Sequence, residues 1–125
     1  MADIVLNWRG QQFRIPESRA FEAGAAVEEV VTLAQIASWG NNPKFFLLAR
    51  AMGTLLRFAG ARVSDAEVKR EIDRSIARAV RQGVDKSEAE QLFATRAVQQ
   101  LIQVLFEGAP EVEDDGPPPG ENSAS

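Results

Sequence analysis

Four arginines are the sharpest sign of possible chemistry in this chain of 125 residues. Arg70, Arg74, Arg78 and Arg81 follow one another at intervals of four, four and three, which lines them along one face of a helix. A guanidinium stripe of this kind can dock an acidic protein, a phosphate backbone or the chain's own acidic C-terminus. The same spacing also arises on an ordinary solvated helix face, and Glu67, Glu71 and Asp73 stand at neighbouring positions that neutralise it. The solvated face is the default account. If the stripe binds, a protein or the tail fits better than nucleic acid.

Catalysis has little to work with. The chain contains no His and no Cys, which removes the usual general base near neutral pH, thiol chemistry and the ordinary zinc ligands. Gly53 and Gly60 lie in and after an apolar segment with no following Lys-Ser/Thr, so they form no phosphate loop. Glu28-Glu29 and Asp114-Asp115 are adjacent pairs, which do not aim two carboxylates at one substrate. No enzyme activity, cofactor, metal or catalytic residue is expected.

Charge is placed unevenly. Residues 108–125 hold Glu111, Glu113, Asp114, Asp115 and Glu121 with no Lys or Arg. The rest of the chain carries 13 of the 18 acidic residues against 14 basic ones, so the body stands near +1 within a net charge of −4. Non-specific nucleic-acid binding normally needs a dominant basic surface, so nucleic acid is an unlikely partner. The start Met-Ala-Asp-Ile has no signal-peptide pattern, and the most apolar segment, Phe45 to Ala59, is interrupted by Arg50 and Arg57. It is also shorter than the roughly 20 residues of a membrane span. The expectation is a soluble protein of the cytoplasm with no membrane contact.

The elements that must position these residues begin with a β-hairpin over about 3–15. A two-residue turn at Arg9-Gly10 pairs Trp8 with Gln11, Leu6 with Phe13 and Ile4 with Ile15, placing Ile4, Leu6, Trp8, Phe13 and Ile15 on one face. From Glu17 the period becomes helical: Ala20, Gly24, Val27, Val31 and Ala34 form one stripe, broadened by Phe21, Val30, Leu33 and Ile36. The turn-forming run Ser38 to Pro43 ends that helix. A second helix is expected from Pro43 to about Ala59, apolar nearly all round except for the line Arg50, Thr54 and Arg57.

Ser64-Asp65-Ala66-Glu67 is a capping box that opens a third helix, Asp65 to about Gln82, with Val68, Ile72, Ile76 and Val80 turned inward. A fourth helix follows from Lys86 or Ser87 to Glu107, capped by Asp85 or Ser87. The expected fold is therefore mainly α with a short N-terminal β-hairpin, about four helices around one core over residues 1–107. Residues 108–125, rich in Pro, Gly and acid, lack apolar periodicity and read as a disordered tail.

The fourth helix has more apolar residues than one buried face requires. Leu92, Phe93, Val98, Leu101, Ile102, Val104, Leu105 and Phe106 spread beyond a single stripe. Either the fold wraps this helix on two sides, or the surplus is a partner surface, with Phe93, Leu101, Ile102, Leu105 and Phe106 as its candidates. Trp8 reads as an edge of the core, while Trp39 fits either core or interface.

A family resemblance rests on several of these segments together. The hairpin Ile4–Ile15 leads into a helix with Phe21, Gly24 and Val27-Glu28-Glu29-Val30. The apolar run Leu48-Ala49-Arg50-Ala51-Met52-Gly53-Thr54-Leu55-Leu56 follows, then Val63-Ser64-Asp65-Ala66-Glu67-Val68. Over roughly residues 3–80 the chain resembles the small tail assembly chaperones of long-tailed bacteriophages, especially those of alphaproteobacterial gene transfer agents. The resemblance implies a non-virion helper that coats the long tape measure protein, keeps it soluble and helps recruit tail tube subunits. It implies no catalytic residue. In many members a ribosomal frameshift near the C-terminus makes a longer product. A homo-oligomer with tape measure and tail tube proteins as partners is the expectation. The alternative is a small regulatory or nucleic-acid-associated protein that uses the arginine stripe.

Overall fold

The computed structural model describes residues 3–106. The tail expected over 108–125 lies outside the described residues.

The chain opens with strands β1 (Ile4–Trp8) and β2 (Gln11–Ile15), paired antiparallel with Ile4 opposite Ile15, Leu6 opposite Phe13 and Trp8 opposite Gln11. The register is the one required by the alternation of apolar residues. Ile4, Leu6 and Ile15 are buried, with Trp8 and Phe13 packed beside them. Both turn residues have positive φ, 50° at Arg9 and 78° at Gly10, as a type I′ hairpin requires. Arg9, an unusual residue in that conformation, stacks 5.0 Å over Trp8 and approaches Glu71 to 3.9 Å, so the turn is held against the helical body. Asp3 Oδ1 accepts a hydrogen bond from Glu17 N at 3.1 Å and closes the base of the hairpin.

Where one helix was expected after Pro16, the described residues show a single 3₁₀ turn, Glu17–Arg19, and two helices, α1 (Ala20–Glu28) and α2 (Leu33–Ser38). The interruption has a local cause. Thr32 Oγ1 accepts from Gln35 N at 3.1 Å while Gln35 Oε1 accepts from Thr32 N at 2.8 Å, a capping box that starts a new helix. The β-branched run Val30-Val31-Thr32 before it weakens helix continuation. Val31 and Val27 remain fully buried, so the apolar period survives a break in the backbone pattern.

Helix α3 (Phe45–Phe58) starts two residues after Pro43, which stays in the loop and does not serve as the first helical residue. It buries Leu48, Ala49, Ala51, Gly53, Leu55 and Leu56 and packs on α1, on α4 (Asp65–Arg81) and on α5 (Lys86–Leu105). Its polar line reaches solvent at Arg50 and Arg57 as the spacing implied. Arg57 Nη1 pairs with Asp65 Oδ1 at 2.9 Å and donates to Val63 O at 3.1 Å, tying the end of α3 to the start of α4. A Cβ on Gly53 would collide with Asp65 Oδ1, so the missing side chain leaves room for this clasp.

Ser64 and Glu67 form the expected capping box of α4: Glu67 N donates to Ser64 Oγ at 3.1 Å, and Glu67 Oε1 accepts from Ser64 N at 2.9 Å. Val68 and Ile72 are buried, Ile76 is half-buried, and Val80 is exposed. The four-residue stripe was expected to bury all four. At 17 residues against 14, α4 is longer than the α3 helix it packs on, and its last turn sits at the edge of that packing.

Helix α5 is capped by Asp85, whose Oδ2 accepts from Ser87 N and Glu88 N at 3.1 and 3.3 Å, and it ends at Leu105, two residues before the expected end at Glu107. Gln100 Nε2 donates to Val5 O at 3.2 Å and Gln91 Nε2 to Asn41 O at 2.8 Å, so this helix joins the hairpin to the α2–α3 loop. Five helices and the hairpin thus share one core among the described residues, where about four helices had been expected.

Candidate partner-binding surface

The buried face of α5 is made of Ala89, Ala94, Ala97, Leu101 and Val104. Alanine at three of these five positions lets the helix sit close to its neighbours and displaces its larger apolar side chains to the flanks. The helix comes close to α1, where a Cβ on Gly24 would stand 2.6 Å from the carbonyl oxygen of Val104. Only a residue without a side chain permits that contact.

This geometry separates the five apolar candidates. Leu101 is fully buried, so it belongs to the core and has no surface to present to a partner. Phe93 and Leu105 are half-buried and pack against the core with one side, and Ile102 is half-buried as well. Phe106 is 59% exposed. Leu92, at 50%, adds a second exposed point nearer the start of the helix.

Phe21 was expected to widen the buried stripe of the first helix. It is 72% exposed instead. Ala20, Ala23 and Val27 already complete the inward face of α1, and Phe21 lies a quarter-turn away. With Gly24, Ala25 and Glu28 it forms one wall of a cleft of about 240 Å³ whose other wall is Val104 and Leu105. The outer edge of the α1–α5 contact is therefore a largely apolar notch with exposed Phe21 on its rim, and exposed Phe106 follows Leu105 in sequence.

Other exposed apolar groups are more isolated. Phe46 is 74% exposed, with Lys69 Nζ 4.3 Å over its ring, a cation–π contact that gives the aromatic face a local partner. Trp39, left between core and interface by sequence, is buried.

The arginine stripe is exposed along its length, as the spacing of Arg70, Arg74, Arg78 and Arg81 implied. Arg74 approaches Glu71 to 3.7 Å. The Ser64 backbone N–H and hydroxyl, and secondarily Arg9 and Arg70, hold the Glu67 carboxyl below its ordinary value of 4.5. Arg78 differs from the rest of the stripe. It shares a cleft of about 430 Å³ between α4 and α5 with Arg96, over a floor that includes Met52, Ala79, Phe93 and Ala97. Arg96 had gone unnoticed in sequence because no other arginine lies on its helix.

Among the described residues no group of three or more His, Cys, Asp or Glu is arranged to hold a metal ion, and no helix is long and apolar enough to cross a membrane. Comparison with protein-family models, with curated proteins and with solved structures yields no match.

Proposed function

We propose that this chain is a non-catalytic tail assembly chaperone, acting as an oligomer in the bacterial host cytoplasm, that binds a tape measure protein and helps recruit tail tube subunits. The family resemblance over residues 3–80 supplies the identity of the partners. The observation that supports a binding role is the cleft where α1 meets the end of α5, with Leu105 and exposed Phe21 in its lining and exposed Phe106 next in sequence. Exposed aromatic side chains beside an apolar cleft are a common mark of a partner surface. A long helical rod is such a partner, since an amphipathic helix can lay its apolar face in a notch of this kind.

Co-expression with the tape measure candidate encoded near this gene tests the reading. The expected result is soluble tape measure protein that co-purifies with the chain; unchanged insolubility would contradict it. DNA affinity should be negligible. Salt-sensitive DNA binding that disappears when Arg70, Arg74, Arg78 and Arg81 are replaced by Ala would favour the regulatory alternative.

A further inference from the structure

We infer that the acidic segment Glu111–Asp115 of the same chain docks in the cleft between α4 and α5, with Arg78 and Arg96 as its anchors. The inference is independent of the tape measure reading. It starts from the cleft. Arg78 on α4 and Arg96 on α5 face the same space, and neither has a carboxylate partner among the described residues. Arg70 and Arg81 of the same stripe also lack an acidic neighbour within 4.0 Å among the described residues, but only Arg78 shares this cleft with an arginine of α5. The floor between the two arginines is apolar, through Met52, Phe93, Ala79 and Ala97, and Ser75 and Gln82 offer hydrogen bonds at the edge. This site suits a short acidic peptide that carries one small apolar side chain.

The chain contains such a peptide at the right distance. Glu111-Val112-Glu113-Asp114-Asp115 places one valine among four carboxylates, and no Lys or Arg follows Arg96 in the sequence. Arg96 lies ten residues before Phe106, about 15 Å back along the helix at 1.5 Å per residue. Glu113 is seven positions beyond Phe106, and an extended chain over seven positions spans up to roughly 24 Å. Glu113 can therefore reach the level of Arg96 with slack, and Arg78 lines the same cleft, whereas a linker shorter by about four residues would fall short of Arg96.

Exposed arginine–carboxylate pairs are individually weak. Tethering raises the local concentration of the acids to the order of millimolar, which favours docking within one chain over capture of a separate peptide.

The absence of native cysteine makes the test direct. Gly116→Cys in the full chain, carrying a nitroxide label beside the acidic run, is read by amide line broadening in the isotope-labelled protein. The expected result is broadening concentrated on Ser75, Ala79, Gln82, Phe93 and Ala97. It should be unchanged on dilution, weakened as salt rises to about 1 M, where the screening length falls to about 3 Å, and abolished by Arg78→Glu with Arg96→Glu. The gentler pair Arg78→Gln with Arg96→Gln should reduce it, and a dispersed amide spectrum shows that either variant is folded. Arg70→Glu with Arg74→Glu should leave most of it in place. Broadening spread evenly over the surface would overturn the inference. So would broadening that survives the loss of Arg78 and Arg96, or that arises only between a labelled and an unlabelled copy.

Discussion

Helix α3 meets α4 through large side chains and a charged clasp, whereas α1 meets α5 through small residues and close backbone approach. In the first pair Leu48, Leu55, Val68 and Ile72 are buried, and Arg57 bridges Asp65 and Val63 O across the connecting loop. In the second, Ala20, Ala23 and Gly24 face a helix whose own inward line is rich in alanine. The first arrangement buries most of its large apolar side chains, with Phe46 and Val80 left outside. The second cannot, because helices this close leave no room for phenylalanine between them. Phe21 is consequently displaced outward, at the edge of the contact that excludes it, while Phe106 is exposed because α5 ends at Leu105. The comparison shows how a small domain obtains stability and a sticky surface together: small residues give the contact, and the large neighbours they displace become available to a partner.

Each way of breaking this contrast has its own expected size. The largest effect falls on Leu101, the fully buried residue through which α5 enters the core. Leu101→Ala should cost about 2–5 kcal/mol, read as a lower denaturation midpoint with an unchanged slope. A loss under about 0.5 kcal/mol would remove Leu101 from the core. Gly24→Ala comes next, since its Cβ would press on the Val104 carbonyl, backbone that cannot swing aside. It should cost about 1–3 kcal/mol by prising α1 from α5, even though alanine is the better helix former. A stabilised Gly24→Ala protein would show that the two helices are not in close contact.

Ser64→Ala should cost about 1 kcal/mol, the usual value of an N-cap. The same cap carries a pH dependence. Hydrogen bonds from Ser64 hold Glu67 below its ordinary 4.5, so the unfolded chain takes up the proton first on acidification. This contribution is complete above about 4.5 and is lost as pH falls through the lower, folded-state value. Glu67→Gln, which keeps an acceptor for Ser64 N, should flatten that acid-side decline in melting temperature. An unchanged slope below pH 4.5 would contradict the assignment.

Legibility from sequence follows the same divide. The hairpin register was readable because period-two alternation leaves only one pairing that gathers Ile4, Leu6 and Ile15 on one face. The α4 cap was readable because Ser64 and Glu67 stand three residues apart. The break between α1 and α2 was not read, because Val27, Val30 and Val31 keep the apolar period running through it, although Thr32 and Gln35 held the same capping spacing in plain view. The outward position of Phe21 depends on how near α5 comes, and the pairing of Arg78 with Arg96 on which faces of α4 and α5 meet. Both are tertiary facts that no local pattern contains. Leu101 and Phe106 look alike in a list of apolar residues, and only the helix ending at Leu105 separates core from surface.

The smallest expected change in stability is also the most telling. Phe21→Glu with Phe106→Glu alters two exposed side chains and should shift unfolding free energy by no more than about 0.5 kcal/mol per site. The direct test is binding of this double variant to the solubilised tape measure candidate, measured by titration calorimetry alongside its melting temperature. The account predicts an essentially unchanged melting temperature and loss of binding. Wild-type affinity in a folded double variant would contradict the claim that the α1–α5 rim is the partner surface.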